Sequence, residues 1–284
     1  MTFIVGVAPG FGHAILVSDL RVTFADGREK DCLQKIYPVG RFVMGGFSGS
    51  VRIGFALLEI LRRESLRMKP GNAWVLDVVV NTWLPRLARR VFSVFPEEER
   101  RLGSSIILAA AHPTKNCGSA PWPWTGIYRL CSPRFEPEKA GHRQVIGIGI
   151  GAGREEYMRA LAESVDDDGF LQAVTAGPWA QASWLQRAVE GEVARSPLPG
   201  ISGQFQIGLV TRSPSMEEAF IVLNKESTTY HPDGSIVETR LPPLAVGYRQ
   251  FCDVCKQLGL PSASAVCPGL LLPPGILSLR NLPV

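Results

Sequence analysis

Apolar and polar residues alternate in two rhythms along this chain, and the changes of rhythm divide it. Over the first fifty residues the apolar runs are short and closely spaced. Thr2–Val7 ends at the turn-forming stretch APGFG, and Ala14–Thr23 is a second run, softened at Asp19. Lys35–Val39 and Arg41–Phe47 read as a hairpin about Gly40. Strands this dense predict an antiparallel sheet, because parallel neighbours need long crossovers between them.

From Val51 the rhythm lengthens. Val51, Phe55, Leu58, Ile60 and Leu61 recur at helical spacing, and basic residues close the pattern. Ala73–Phe95 is a second helical stretch, with a kink expected at Pro85. Strand character returns at Ser104–Ala111, Gly126–Cys131 and Gln144–Ile150, with an inserted Pro/Gly/Asn-rich loop from His112 to Trp124. Arg154–Ser164 and Trp179–Ala194 read as helices, then Gln204–Thr211 and Glu218–Leu223 as a β pair. The order is strands, two helices, strands, two helices, strands, which places helices on sheet faces. Residues 1–225 form one domain in this reading. Residues 226–284 are a Pro-rich, partly irregular extension with one short helix near Tyr248–Leu258.

Composition narrows the class. Of 284 residues 45% are hydrophobic, enough for a sizeable core, and the net charge of +4 is dispersed rather than striped with aromatics. Nucleic acid is therefore not an expected partner. The first residues lack a basic segment followed by an apolar one, and no apolar run is long enough to span a bilayer. With six scattered cysteines, the expected compartment is the cytoplasm, with thiols reduced and no membrane partner.

Four pieces carry chemistry. Thr2 follows Met1, and removal of the methionine would expose a threonine whose own α-amine, with a pKa of about 8, can serve as base to its hydroxyl. In SDLRVT, Asp19, Arg21 and Thr23 alternate, so on one strand all three share a face. Lys35 opens the next strand in QKIYPVG, where its ammonium beside Asp19 would favour the attacking form of the nucleophile. GGFSGSV at Gly45–Val51 puts glycines at a strand-to-helix junction, where backbone N–H groups can face a developing oxyanion. Each piece alone has a plain structural explanation: a common second residue, a sheet edge, an isolated lysine, a tight turn.

Together TFIVGV, SDLRVT, KIYPVG and GFSGSV resemble the N-terminal third of proteasome β subunits and their bacterial relatives, of the N-terminal-nucleophile hydrolase type. The resemblance implies an α+β four-layer α/β/β/α sandwich of two antiparallel sheets. It implies a threonine endopeptidase with Thr2, Asp19, Lys35 and Gly49 as the catalytic set, and no cofactor or metal. Arg21, Val22, Thr23, Leu33, Phe47 and Val51 would bind substrate, and Ser202 would support the site from behind. An apolar pocket of Val22, Leu33, Phe47 and Val51 would favour small or medium apolar acyl groups. Peptide or unfolded protein would be the substrate, in a ring-like or helical homo-oligomer, with an ATP-dependent unfoldase as a further partner. A catalytically silent proteasome-like scaffold is the alternative. The chain departs from the family pattern where Ile148 and Pro199 stand in place of a serine and an aspartate.

Other features compete. GIGIGA admits a dinucleotide-binding reading, which requires a βαβ unit. Cys252, Cys255 and Cys267 lack a fourth ligand nearby unless folding brings His231 to them, so zinc is not expected. His13, His112, His142 and His231 are isolated, which disfavours a Ser-His-Asp triad.

Overall fold

The computed structural model describes residues 2–67, 75–116, 118–119, 123–212, 219–223, 226–230 and 236–260. Expectations for Cys267, His231 and the chain beyond residue 260 lie outside them. The fold is mixed α+β with antiparallel sheets.

The first sheet joins β1 (Phe3–Val7), β2 (His13–Asp19), β10 (Ile146–Gly149), β11 (Phe205–Arg212) and β12 (Ala219–Leu223), in the order β10-β1-β2-β11-β12. The second joins β5 (Ile36–Gly40), β6 (Val43–Gly49), β7 (Ser104–Asn116), β8 (Pro123–Cys131) and β9 (Pro137–Lys139) in sequence order. Two ribbons stand apart: β3 (Arg21–Thr23) with β4 (Glu29–Asp31), and β13 (Glu226–Tyr230) with β14 (Ile236–Arg240). The helices are α1 (Val51–Arg67), α2 (Leu76–Asn81), α3 (Leu84–Ser93), α4 (Glu97–Arg101), α5 (Glu155–Asp166), α6 (Asp168–Gln172), α7 (Pro178–Arg195) and α8 (Tyr248–Gln257).

Strand periodicity sorts the core. On β1, Phe3, Val5 and Val7 pack with Tyr157 and Leu161 of α5, Phe170 of α6 and Leu185 of α7. Ile4, between them, packs with Leu16 and with Met44, Ile107 and Ile127 of the other sheet. That second sheet sends Val43, Phe47, Ile106 and Leu108 to a third cluster, with Ile53 and Leu57 of α1, Leu76 of α2 and Leu87 of α3. Strands β1, β2 and β6 are buried on both faces, which explains their apolar character at both parities.

Three expectations are corrected and one competing reading is removed. The stretch Ala73–Phe95 is not one kinked helix: α2 ends at Asn81, and Pro85 lies in the first turn of α3. There the missing N–H costs nothing, so proline starts a helix instead of bending one. The inserted loop is shorter than expected, because β7 runs on to Asn116 and β8 begins at Pro123. The run Ala14–Thr23 is not one strand: Asp19 ends β2, and Arg21–Thr23 leave for the ribbon with β4. Finally, β10 pairs antiparallel with β1, so GIGIGA is not part of a βαβ nucleotide site.

The last described segment is bound to the first. Leu33 bridges Ala245 in parallel, and backbone bonds run from Ala245 N to Cys32 O and from Gln34 N to Ala245 O. Phe251 and Cys255 of α8 join the α1–α3 cluster, and Phe251 stacks on Phe24.

Candidate functional site

Asp19 is fully buried at the end of β2, and its carboxylate is held on three sides. Oδ1 accepts from the Phe3 N–H at 2.7 Å and from Lys35 Nζ at 2.8 Å, and Oδ2 accepts from the Arg21 N–H at 3.0 Å. Lys35 Nζ also donates to the Arg21 carbonyl at 2.6 Å. The two side chains are 1% and 0% exposed. Burial lowers the lysine's pKa, and the charge of Asp19 offsets part of that shift. The pair sits behind the Thr2–Phe3 peptide and sets a strong local field there.

Thr2 is fixed from the other side as well. Its carbonyl accepts from the Ile150 N–H at 2.8 Å, and Phe3 pairs with Gly149. Gly149 has φ of 87°, and a Cβ there would lie 2.0 Å from the Thr2 carbonyl oxygen. Only glycine fits against the first strand at this point.

Thr2 opens on a cleft of about 910 Å³. Val22, Thr23, Gly49, Val51 and Ile148 share its wall, and Tyr248 and Phe251 of α8 line it as well. Gly49 has φ of 88°, and a Cβ on it would meet the Gly103 carbonyl oxygen at 2.4 Å. The next N–H, that of Ser50, is consumed by that same carbonyl at 2.9 Å. The β6-to-α1 junction thus holds the cleft wall close to α4 and the start of β7.

The expected site residues divide. Thr2, Val22, Thr23, Gly49 and Val51 meet in the cleft, with Asp19 and Lys35 packed behind Thr2 through Phe3. Three binding residues do not face it. Phe47 points into the core, where its ring packs on Phe55, Tyr37 and the flat face of Gly54. Leu33 is buried against the segment containing Ala245. Arg21 turns to Asp31 at 2.8 Å and Glu29 at 3.2 Å, in the exposed ribbon. The alternation argument misplaced Arg21 because the strand breaks after Asp19. Ser202 is buried and donates to Asp31 Oδ2 at 2.8 Å, so it supports the Arg21–Asp31 pair rather than lining the cleft. Ile148 is 2% exposed, its side chain in the apolar cluster between the sheets. Pro199 lies in an exposed turn. The α8 contribution was missed, and no local motif marks it. Its signal is the placement of Tyr248 and Phe251 one turn apart on a helix with buried Cys252 and Cys255.

Among the described residues no cluster of His, Cys, Asp and Glu is arranged to hold a metal ion. Among them, too, no helix is long and apolar enough to cross a membrane.

No protein-family model matches the sequence. A curated relative, a UPF0246 protein from Ruegeria sp. (strain TM1040), is 29% identical over 139 residues, covering 49% of this chain and 52% of its own length. The chain therefore spans about half the length of that relative. Among solved structures, Anbu (ancestral beta-subunit) from Yersinia bercovieri has a TM-score of 0.56 at 16% identity, over 95% of this chain and 98% of the other. At that identity the likeness is one of fold. The sequence relative points away from the proteasome β-subunit family, so that assignment is overturned. With it go the threonine-peptidase function and its scaffold alternative, which rested on the same motifs. Those motifs encode a buried ion pair and glycine junctions, and such features set a backbone arrangement rather than a substrate.

Proposed function

We propose that the chain is an acyl-transfer enzyme that cleaves a small, non-peptide amide or ester through an acyl intermediate on Thr2. The observation that carries this reading is the desolvated Lys35–Asp19 pair, 2.8 Å apart, behind a threonine that opens on a cleft. A desolvated lysine–aspartate pair held behind the backbone of a threonine is an arrangement that can bias the protonation of a weak nucleophile. The cleft volume suits a compact substrate.

In the proposed reaction Met1 is removed. The Thr2 hydroxyl oxygen attacks the acyl carbon, and its proton passes to the Thr2 amine. The amine delivers that proton to the leaving nitrogen or oxygen as the acyl bond breaks. Water then attacks the threonine ester, gives its proton to the same amine, and releases the acid with the hydroxyl restored. Lys35 and Asp19 together hold the field behind Thr2. Gly49 keeps the cleft wall close to the reacting carbonyl.

Two broader points belong to this reading. The three apolar clusters support a four-layer α/β/β/α stacking, with one helical group outside each sheet. Exposed apolar residues such as Val78 and Trp179 leave surface for a second copy of the chain, so assembly as a homo-oligomer is proposed with it.

The test is a panel of small chromogenic amides and esters, with intact-mass analysis during turnover. The wild-type protein should lack Met1 and show a mass increase equal to the acyl group. The Thr2→Ala protein should show neither adduct nor turnover. Equal turnover by the two proteins would remove Thr2 from the chemistry.

A further inference from the structure

The cleft exposes apolar surface that acylation of Thr2 alone does not require. Leu102 and Ile150 line it together with Thr2, and they are 67% and 44% exposed. Leu102 is the most exposed large apolar side chain among the described residues. Single apolar residues scattered over a surface are ordinary, but two on the wall of one cavity keep apolar area in water beside the reacting residue.

Neither is exposed because its backbone is loose. The Ile150 N–H donates to the Thr2 carbonyl at 2.8 Å, and the Ile150 carbonyl accepts from the Gly153 N–H at 3.1 Å, so this residue is fixed one hydrogen bond from the threonine. Leu102 follows α4, and its N–H donates to the Glu99 carbonyl at 3.2 Å. The neighbouring Gly103 carbonyl accepts from the Ser50 N–H at 2.9 Å, and a Cβ on Gly49 would lie 3.1 Å from the Leu102 carbonyl oxygen. Leu102 therefore stands against the β6-to-α1 junction. Half-buried Phe24 and Val51, with Phe251 of α8, extend the apolar wall.

The charges of the cleft are already engaged. Arg52, Glu99 and Arg129 are the charged side chains among its lining residues. Arg52 donates to Glu99 at 2.7 Å, and Arg129 donates to Glu138 at 2.8 Å and to the Gly147 carbonyl at 3.0 Å. Two of the lining hydroxyls serve the backbone: Ser50 Oγ accepts from the Ile53 N–H at 3.3 Å and Ser132 Oγ from the Ser104 N–H at 2.9 Å. A charged group entering beside Leu102 and Ile150 would lose hydration without gaining a partner. A hydrocarbon group there removes its own surface and theirs from water.

We infer that the acyl part of the substrate carries an uncharged hydrocarbon chain, and that Leu102 and Ile150 select it. The inference rests on the acyl-transfer reading above for its role, but the binding it requires is independent of turnover. Binding is measured by calorimetry with the Thr2→Ala protein. The probes are the N-butyl amides of butanoic, hexanoic and octanoic acids. The N-butyl monoamide of hexanedioic acid and the N-butyl amide of 6-aminohexanoic acid supply a terminal carboxylate and a terminal ammonium. Complete burial of a methylene raises affinity about fourfold. Walls partly open to solvent should give about twofold, so the octanoyl probe should bind about 16-fold more tightly than the butanoyl probe. Both charged probes should bind less tightly than the hexanoyl probe. Adding Leu102→Ser and Ile150→Ser should bring the octanoyl-to-butanoyl ratio towards one. Leu102→Met should keep it, as should Val94→Ser, a change at an exposed apolar position outside the cleft. No binding of any probe, a flat series, tighter binding of a charged probe, or a ratio that survives both serine changes would overturn the inference. A flat series with turnover by wild-type protein would do so while leaving the Thr2 reading standing. Chain-length-dependent binding without turnover of the octanoyl amide or its ester by wild-type protein would instead sink the Thr2 reading and leave the apolar selection in place.

Discussion

Replacing Lys35 by methionine isolates the feature on which the site depends. The change keeps the unbranched chain and removes the charge. In the wild type, Nζ and the Asp19 carboxylate are 2.8 Å apart with almost no solvent contact. At an effective dielectric of about 20 their direct attraction is about 6 kcal/mol, much of it offset by the desolvation of both groups. Lys35→Met leaves the Asp19 side chain buried with only the Phe3 and Arg21 N–H groups. Removing one member of such a pair costs about 3–5 kcal/mol. Asp19→Asn should be of similar severity for a different reason. Its oxygen can serve one of the two N–H donors, but its NH₂ then faces the other. The double variant should be less damaged than the sum of the singles by at least about 1.5 kcal/mol, because it leaves no unpaired charge. The assay is urea unfolding followed by tryptophan fluorescence, with all four proteins at one pH. A loss below about 1 kcal/mol for Lys35→Met, or strict additivity in the cycle, would show that water reaches the pair and that the desolvated-lysine argument is unsound.

Two further outcomes follow from named atoms. His13 is fully buried, and burial outweighs its hydrogen bonds to Phe11 and Gln181 and lowers its pKa from 6.5 to about 4. The unfolded chain therefore binds a proton at pH 4 to 6.5 that the folded chain refuses, so stability is lost as pH falls through that window. At 1.36 kcal/mol per pH unit the full loss is about 3 kcal/mol, and the difference between wild type and His13→Gln in urea midpoints across pH 4.5 to 7 should isolate it. A slope shared by both proteins would reject it. Gly149→Ala places a Cβ on the Thr2 carbonyl and demands a left-handed backbone of alanine, so it should lower the melting temperature and displace Thr2. Unchanged melting with unchanged acylation would refute the close approach drawn between β10 and β1.

The elements were readable where one rhythm controls them. The spacing of Val51 to Leu61 describes a helix packed on one face, and α1 is that helix. Strands buried on both sides lack clean alternation, yet short apolar runs between turn signals were enough to place β1, β2, β5 and β6. Short elements escaped: α4, α6 and β9 hold too few residues to show a period. The Asp19–Lys35 contact was legible because two isolated charges in apolar strands must find each other. The orientation of Phe47 was not, because it depends on the flat surface of Gly54 one helical turn into α1. The family was misread because glycines and paired charges at fixed spacing describe a sheet junction, which unrelated activities can share. The spacing of Tyr248 and Phe251 marks α8 as an amphipathic helix but not its place in the cleft, which goes with the long-range pairing of Leu33 and Ala245.

That long-range pairing also orders events in time. Thr2 and Tyr248, which share the cleft wall, lie 248 − 2 = 246 positions apart along the chain. At about 5–20 residues per second, roughly ten to fifty seconds of synthesis separate them. During that interval the threonine exists without the helix that walls its cleft. A nascent chain thus cannot enclose the Thr2 cleft before α8 has docked.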